Sequence, residues 1–217
     1  MSIAVIADIV GSRALPDRQA GQKMLDAAIS RVHADRPFAT QPLHPTVGDE
    51  QQGLYPDLSR ALASLLLLQL ALPEGIQCRF GIGVGEVRAV SAANGDIPEG
   101  PGWWAARDAI EHVRSLEHRA APQARTWIVV AEGEHDEMKT QASMANAYLL
   151  AKDDLVAQMN ERTRRLVYGR CVGSKQSDLA RAEGISQPAV SQALSSAGAR
   201  AVVEGFRVLT ASVGDPQ

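Results

Sequence analysis

Ile3-Ala4-Val5-Ile6-Ala7-Asp8-Ile9 decides the fold. A run of Ile, Val and Ala ended by Gly11-Ser12 is the pattern of a strand covered on both faces, so it is expected at the centre of a sheet. Asp8 is the exception in it, because a carboxylate in an apolar strand is costly to bury without a partner.

Working outward, Pro16 to Ala34 has helical periodicity through Ala20, Met24, Ala27, Ala28 and Val32. Phe38 to Val47 reads as a second strand, and Pro42 and Pro45 place it at an edge. Gly48-Asp49 signals a hairpin turn into a third strand, Glu50 to Tyr55. Asp57 caps a second helix that stops near Leu72, before Pro73-Glu74-Gly75. Ile76 to Val90 holds a fourth strand, Asn94 to Gly102 a loop, Trp103 to His118 a third helix and Thr126 to Ala131 a fifth strand. Ala142 to Val167 is expected as one long helix. The order β-α-β-β-α-β is that of a ferredoxin-like domain. In its antiparallel sheet the first strand lies beside the third, which brings Asp8 close to Asp49 and Glu50.

The tail carries a second signal. Lys175 to Gly184, a helix and turn, and Ile185 to Leu194, a second helix, have the spacing of a helix-turn-helix. Ala180 is small where two helices would cross, and Gly184 can take the positive φ of the turn. Ser186 is a good N-cap, and Pro188 is tolerated in the first turn. Leu179, Ile185, Val190 and Leu194 are the expected core positions. Gln187, Ser191 and Gln192 are polar side chains able to meet base edges, while Lys175, Arg170 and Arg181 can reach phosphates. The expected DNA-binding set is Lys175, Gln176, Arg181, Ser186, Gln187, Ser191 and Gln192. Ala201 to Leu209 adds a closing helix. The expected class is therefore α/β (α+β): a ferredoxin-like domain over residues 1–140, a connecting helix over 141–168 and a small all-α helix-turn-helix domain over 169–217.

Composition sets the outer limits. The 217 residues are 45% hydrophobic and only 4% aromatic, with net charge −3. That is enough apolar mass for a sizeable core of helices on a sheet. Residues 1–149 carry 13 Lys and Arg against 18 Asp and Glu, and residues 150–217 carry 9 against 7. The mildly basic tail suits phosphate contact. Cys78 and Cys171 lie far apart, and no Cys/His spacing points to zinc, so both are expected as reduced thiols of a cytoplasmic protein. No basic region precedes the apolar start, which excludes a signal peptide as its reading. Leu62 to Leu72 is too short for a bilayer and is expected as a buried helix.

Carboxylates converging at a strand end repel one another unless a cation neutralises them. Hard oxygen donors suit Mg2+ or Mn2+, and such ions can hold a triphosphate. The expected metal ligands are Asp8, Ile9, Asp49 and Glu50. The competing reading is that Asp8 caps the Gly11-Ser12 turn and Asp49 only makes the hairpin. Gly81-Ile82-Gly83-Val84-Gly85 lacks dinucleotide-fingerprint spacing, and its small residues either permit close packing or leave room for a ligand. Of the adjacent Trp103 and Trp104, one is expected in the core and the other on the surface.

Four segments carry a resemblance. Asp8-Ile9-Val10-Gly11-Ser12 resembles the first-strand motif of class III nucleotidyl cyclases. Val47-Gly48-Asp49-Glu50 resembles the hairpin shared by those enzymes and diguanylate cyclases. Phe80 to Val87 is similar to the later cyclase strand, and Ala105-Ala106-Arg107 to the end of the family's Asn-x-Ala-Ala-Arg motif. The resemblance implies that Asp8 and Asp49 bind two metal ions with help from the Ile9 carbonyl. It also implies that Arg107 is the catalytic group, meeting the phosphates. Gly11, Ser12, Arg13, Gly48 and Trp103 are the expected nucleotide contacts. Trp103 stands where the cyclases have Asn, and Pro45 where they have a base-reading Lys, so the usual base and ribose contacts are missing. Asp8 to Arg13, Gly48 to Glu50, Gly81 to Gly85, Gly100 to Arg107 and the tail together resemble the SatD family, over nearly the whole chain.

The expectation is a DNA-binding regulator, working as a homodimer, whose cyclase-like domain senses a nucleotide with Mg2+ or Mn2+. The alternatives are an active nucleotidyl cyclase or nucleotidyltransferase and a catalytically dead cyclase-like dimerisation scaffold.

Overall fold

The computed structural model describes residues 2–46, 48–90, 97–195 and 198–211. Val47 of the expected second strand and Asn94 of the expected loop lie outside the described residues. The elements are β1 (Ile3–Ile9), α1 (Arg18–Asp35), β2 (Gln41–Pro45), β3 (Gln51–Tyr55), α2 (Leu58–Ala71), β4 (Cys78–Val84), β5 (Arg88–Val90), β6 (Ile97–Glu99), α3 (Pro101–Arg119), β7 (Thr126–Val130), α4 (Asp136–Ala157), α5 (Glu161–Cys171), α6 (Gln176–Glu183), α7 (Gln187–Ser195) and α8 (Ala199–Ala211). A five-stranded mixed sheet runs β2-β3-β1-β4-β7. β1 is central and antiparallel to both β3 and β4, while β7 joins β4 in parallel. The β2-β3-β1-β4 portion has the order expected of a ferredoxin-like sheet, with proline-bearing β2 at the edge.

The alternation along β1 divides the core. Ile3, Val5, Ala7 and Ile9 face a large cluster containing α1, α2 and residues of α5, α7 and α8. Ala4 and Ile6 face Trp103, Ala106, Ile110 and Val113 of α3. The Leu62–Leu72 run lies in and just beyond α2, which buries Leu62, Leu65, Leu66, Leu67, Leu68 and Leu70 in the protein's own core. Among the described residues no helix is long and apolar enough to cross a membrane. Because α2 touches both α5 and α8, the C-terminal helices share one hydrophobic cluster with the sheet.

The glycines of β4 set how close α3 lies. A Cβ on Gly83 would stand 1.9 Å from the Gly102 carbonyl oxygen and 2.4 Å from the Ala106 nitrogen. A Cβ on Gly81 would stand 2.3 Å from the Ala106 carbonyl oxygen. The room these glycines create is filled by the α3 backbone, so the close-packing reading holds and the ligand-room reading does not. Pro101 at the first position starts α3 without wasting a backbone donor.

The outer edge of β7 is closed by α4. The Asn146 side chain accepts from the Ile128 N–H at 2.9 Å and donates to the Ile128 carbonyl at 2.9 Å. The Asp153 carboxylate accepts from the Arg125 and Thr126 N–H groups at 2.7 and 2.9 Å. A helix thus supplies, through side chains, bonds that a further strand would otherwise make.

Three expectations need correction. The single Ala142–Val167 helix is two helices, α4 and α5, because the Asn160 side chain caps Thr163 and starts a new one. Arg88–Val90 is not part of the fourth strand. It pairs with Ile97–Glu99, expected as loop, to form a separate two-stranded ribbon. α4 also begins earlier than expected, at Asp136.

Gly83→Ala should lower stability by about 3 kcal/mol or more, since the clash is with backbone that cannot swing away; chemical denaturation measures this. Asn146→Ala should cost about 1–3 kcal/mol, the penalty for leaving two buried groups of Ile128 unpaired, read in the same experiment.

Candidate functional site

The end of β1, the β2–β3 hairpin and α3 enclose an open cleft of about 340 Å³. Asp8, Ile9, Gly11, Ser12, Arg13, Asp49, Arg79 and Arg114 line it. The size lies at the lower end of the roughly 300–1,000 Å³ of small-ligand pockets. The register explains the convergence: Ala7 pairs with Gln51 across β1–β3, so the last residues of β1 meet the hairpin. Asp8 pairs directly with Arg79 across β1–β4.

The charges are ordered by geometry. Asp8 accepts from Arg79 Nη1 at 3.2 Å and from Arg114 Nη2 at 2.6 Å. Arg79 Nε also bonds Glu117 at 2.6 Å, and Glu117 lies 3.3 Å from Arg125. Burial pulls the Arg125 guanidinium below its ordinary value, against the opposing pull of Glu117 and Asp153. Asp49 lies 4.0 Å from Arg18. Arg13 is exposed and makes no hydrogen bond or ion pair among the described residues.

Glu50 turns away to α3, where Arg107 holds it in a bidentate pair, with Arg107 Nη2 at 2.6 Å. Burial pushes the Glu50 carboxyl up, but Arg107 and Gln52 outweigh it and hold it below the usual range. Arg107 and Glu50 are not among the cleft-lining residues, and Gly48 forms the exposed hairpin turn at φ 70.

Trp103, expected among the nucleotide contacts, is instead a core residue packed with Ala106 and Ile110; Trp104 is the exposed member of the pair. The helix period decides this, since α3 turns its Trp103–Ala106–Ile110 stripe onto the sheet. Sequence reasoning missed Arg79 and Arg114. Arg79 was legible from strand register as the residue opposite Asp8. Arg114 stands two turns after Arg107, on the α3 face that overlooks the strand end.

The implied divalent metal meets an occupied donor set. Asp8, Asp49 and the Ile9 backbone are hard oxygen donors of the right kind. Both oxygens of Asp8 are taken by guanidinium groups, and Glu50 is taken by Arg107. Among the described residues no group of three or more His, Cys, Asp or Glu can hold a metal ion. The residues therefore do not fit a bare divalent cation. The thiols are equally quiet: burial, then Asp8 and Asp49, push Cys78 well up, and burial pushes Cys171 up to about 12.

The residues expected to meet DNA lie on the C-terminal helices. Gly184 adopts φ 63 between α6 and α7. The Ser186 hydroxyl lies 3.4 Å from the Ala189 N–H. Val190 and Leu194 are buried, whereas Lys175, Arg181, Ser186, Gln187, Ser191 and Gln192 are exposed and Gln176 is half-buried.

Among solved structures, the chain is similar to a bacterial light-regulated adenylyl cyclase, with TM-score 0.42 and 11% identity over 58% of this chain and 42% of that one. It is also similar to the guanylyl cyclase Cya2, with TM-score 0.40 and 15% identity over 52% and 70% of the two chains. The adenylyl cyclase CyaB from P. aeruginosa gives TM-score 0.35 and 13% identity over 54% and 81%. The chain spans less than half the length of the first of these. No curated protein matches it. The sequence pattern of the SatD family matches residues 2–205, and the chain belongs to that family.

Proposed function

We propose that this protein is a ligand-responsive DNA-binding regulator whose cleft takes a nucleotide by its phosphates. The observation that carries the reading is the cleft itself, open to solvent and lined by Arg13, Arg79 and Arg114 around Asp8 and Asp49. Guanidinium groups are the usual partners of phosphate, because their planar donors match its oxygens. Arg107, tied to Glu50 away from the lining, gives the transfer reaction less support than binding.

The DNA half of the proposal draws on α7. Gln187, Ser191 and Gln192 are exposed together, at a spacing that places them on one side of the helix. Arg181 is largely exposed and Lys175 is the N-cap residue of α6. Such a helix pair commonly reads paired half-sites, so a homodimer is the proposed working form.

A nucleoside triphosphate at a hundredfold excess over Kd should raise the melting temperature by roughly 5–10 °C. Arg13→Ala with Arg114→Ala should remove most of that rise. Equal rises in the double variant and the parent would sink the ligand half. In DNA titrations, Arg181→Ala should lower the slope of log K against log salt by about 1. Gln192→Ala should relax sequence preference while leaving that slope unchanged. Failure to bind duplex DNA at low salt would defeat the DNA half.

A further inference from the structure

The carboxylates that resemble metal ligands form part of an alternating row of charges. From the cleft inward, Arg114 bonds Asp8, Asp8 bonds Arg79, Arg79 bonds Glu117, and Glu117 meets Arg125. The Arg125 backbone N–H bonds Asp153, which pairs with Lys152. The row begins and ends on a cation, with four positive charges against three negative. Its inner members are buried: Asp153 is 0% and Lys152 3% exposed, and the Arg79 and Arg125 side chains are 9% exposed. Its outer end, Arg114, is half-exposed at the cleft.

At the cleft itself, three guanidinium groups, Arg13, Arg79 and Arg114, stand against two carboxylates, Asp8 and Asp49. Arg13 stands at the same cleft without a partner among the described residues. Asp49, the remaining acid of the lining, faces Arg18. A bare divalent cation entering here would meet excess positive charge and would have to strip two guanidinium groups from Asp8. An anion would meet Arg13 and Arg114 at once. Asp8 holds Arg79 and Arg114 in place, one through each of its oxygens.

We infer that the cleft is an anion site that binds the phosphate end of its ligand directly, without a divalent metal. The inference rests on the reading of the cleft as a ligand site and specifies its chemistry. The ligand class is a phosphate ester or phosphoanhydride, a nucleotide included, held by Arg114 and Arg13. Its charge completes the row at the open end, and Asp8 remains bonded to Arg79 throughout.

The test is calorimetric titration of the full chain with inorganic pyrophosphate, once in EDTA and once in magnesium. Saturable binding is expected in EDTA, and magnesium should not tighten it. Arg114→Ala and Arg13→Ala, both at exposed positions, should each weaken it about tenfold, the loss of one charge-assisted contact. Asp49→Asn should tighten it roughly twofold to fivefold by removing a negative charge from the lining. Binding that appears only with magnesium, or that Asp49→Asn abolishes, would overturn the inference while leaving the cleft a ligand site. Absence of binding under both conditions would overturn the inference and the ligand reading together.

Discussion

The contact between the glycine face of β4 and the backbone of α3 governs the rest of the molecule. Only hydrogen at Gly81 and Gly83 lets the helix settle so near the sheet. That separation fixes where Arg114 and Glu117 can reach. Further along the same helix, Arg114 bonds Asp8 at 2.6 Å and Glu117 bonds Arg79 at 2.6 Å. The site is thus a product of backbone packing several residues away from it.

Paired charges this well buried carry a net energetic burden unless their remaining bonds are satisfied. Here they are: Lys152 also bonds Gln69 at 2.8 Å, and Arg125 bonds Gln77 and two backbone carbonyls. Removing any inner member would strand its neighbour, which is far costlier than never having had the pair. Gln51, beside Glu50, is the counterexample. It is fully buried, and neither atom of its amide finds a partner among the described residues.

Much of the fold was legible because its strongest determinants are local. The apolar run at Ile3, the hairpin glycine, the prolines of β2 and the Asp57 cap each declare themselves within a few residues. The convergence of Asp8 with Asp49 followed from topology alone. What stayed hidden depends on distance in space. Asn160, which starts α5, looks like any polar residue inside a helical pattern. The β5–β6 ribbon pairs segments too short to announce a strand. The roles of Arg79 and Arg114 hinge on register and on helix phase. The motif resemblance pointed to the carboxylates and carried no signal for the guanidinium groups that hold them.

The Asn146 clasp on Ile128 has a consequence for assembly. A sheet normally leaves two open margins along which a second chain could add a strand. On one margin, the amide of Asn146 and the carboxylate of Asp153 occupy groups an incoming backbone would need. On the other, β2 presents Pro42 and Pro45, which lack the donor that such pairing requires. Strand addition is thereby discouraged along both margins of the five-stranded sheet, and any chain that paired with β7 would first have to displace a side chain already bonded there.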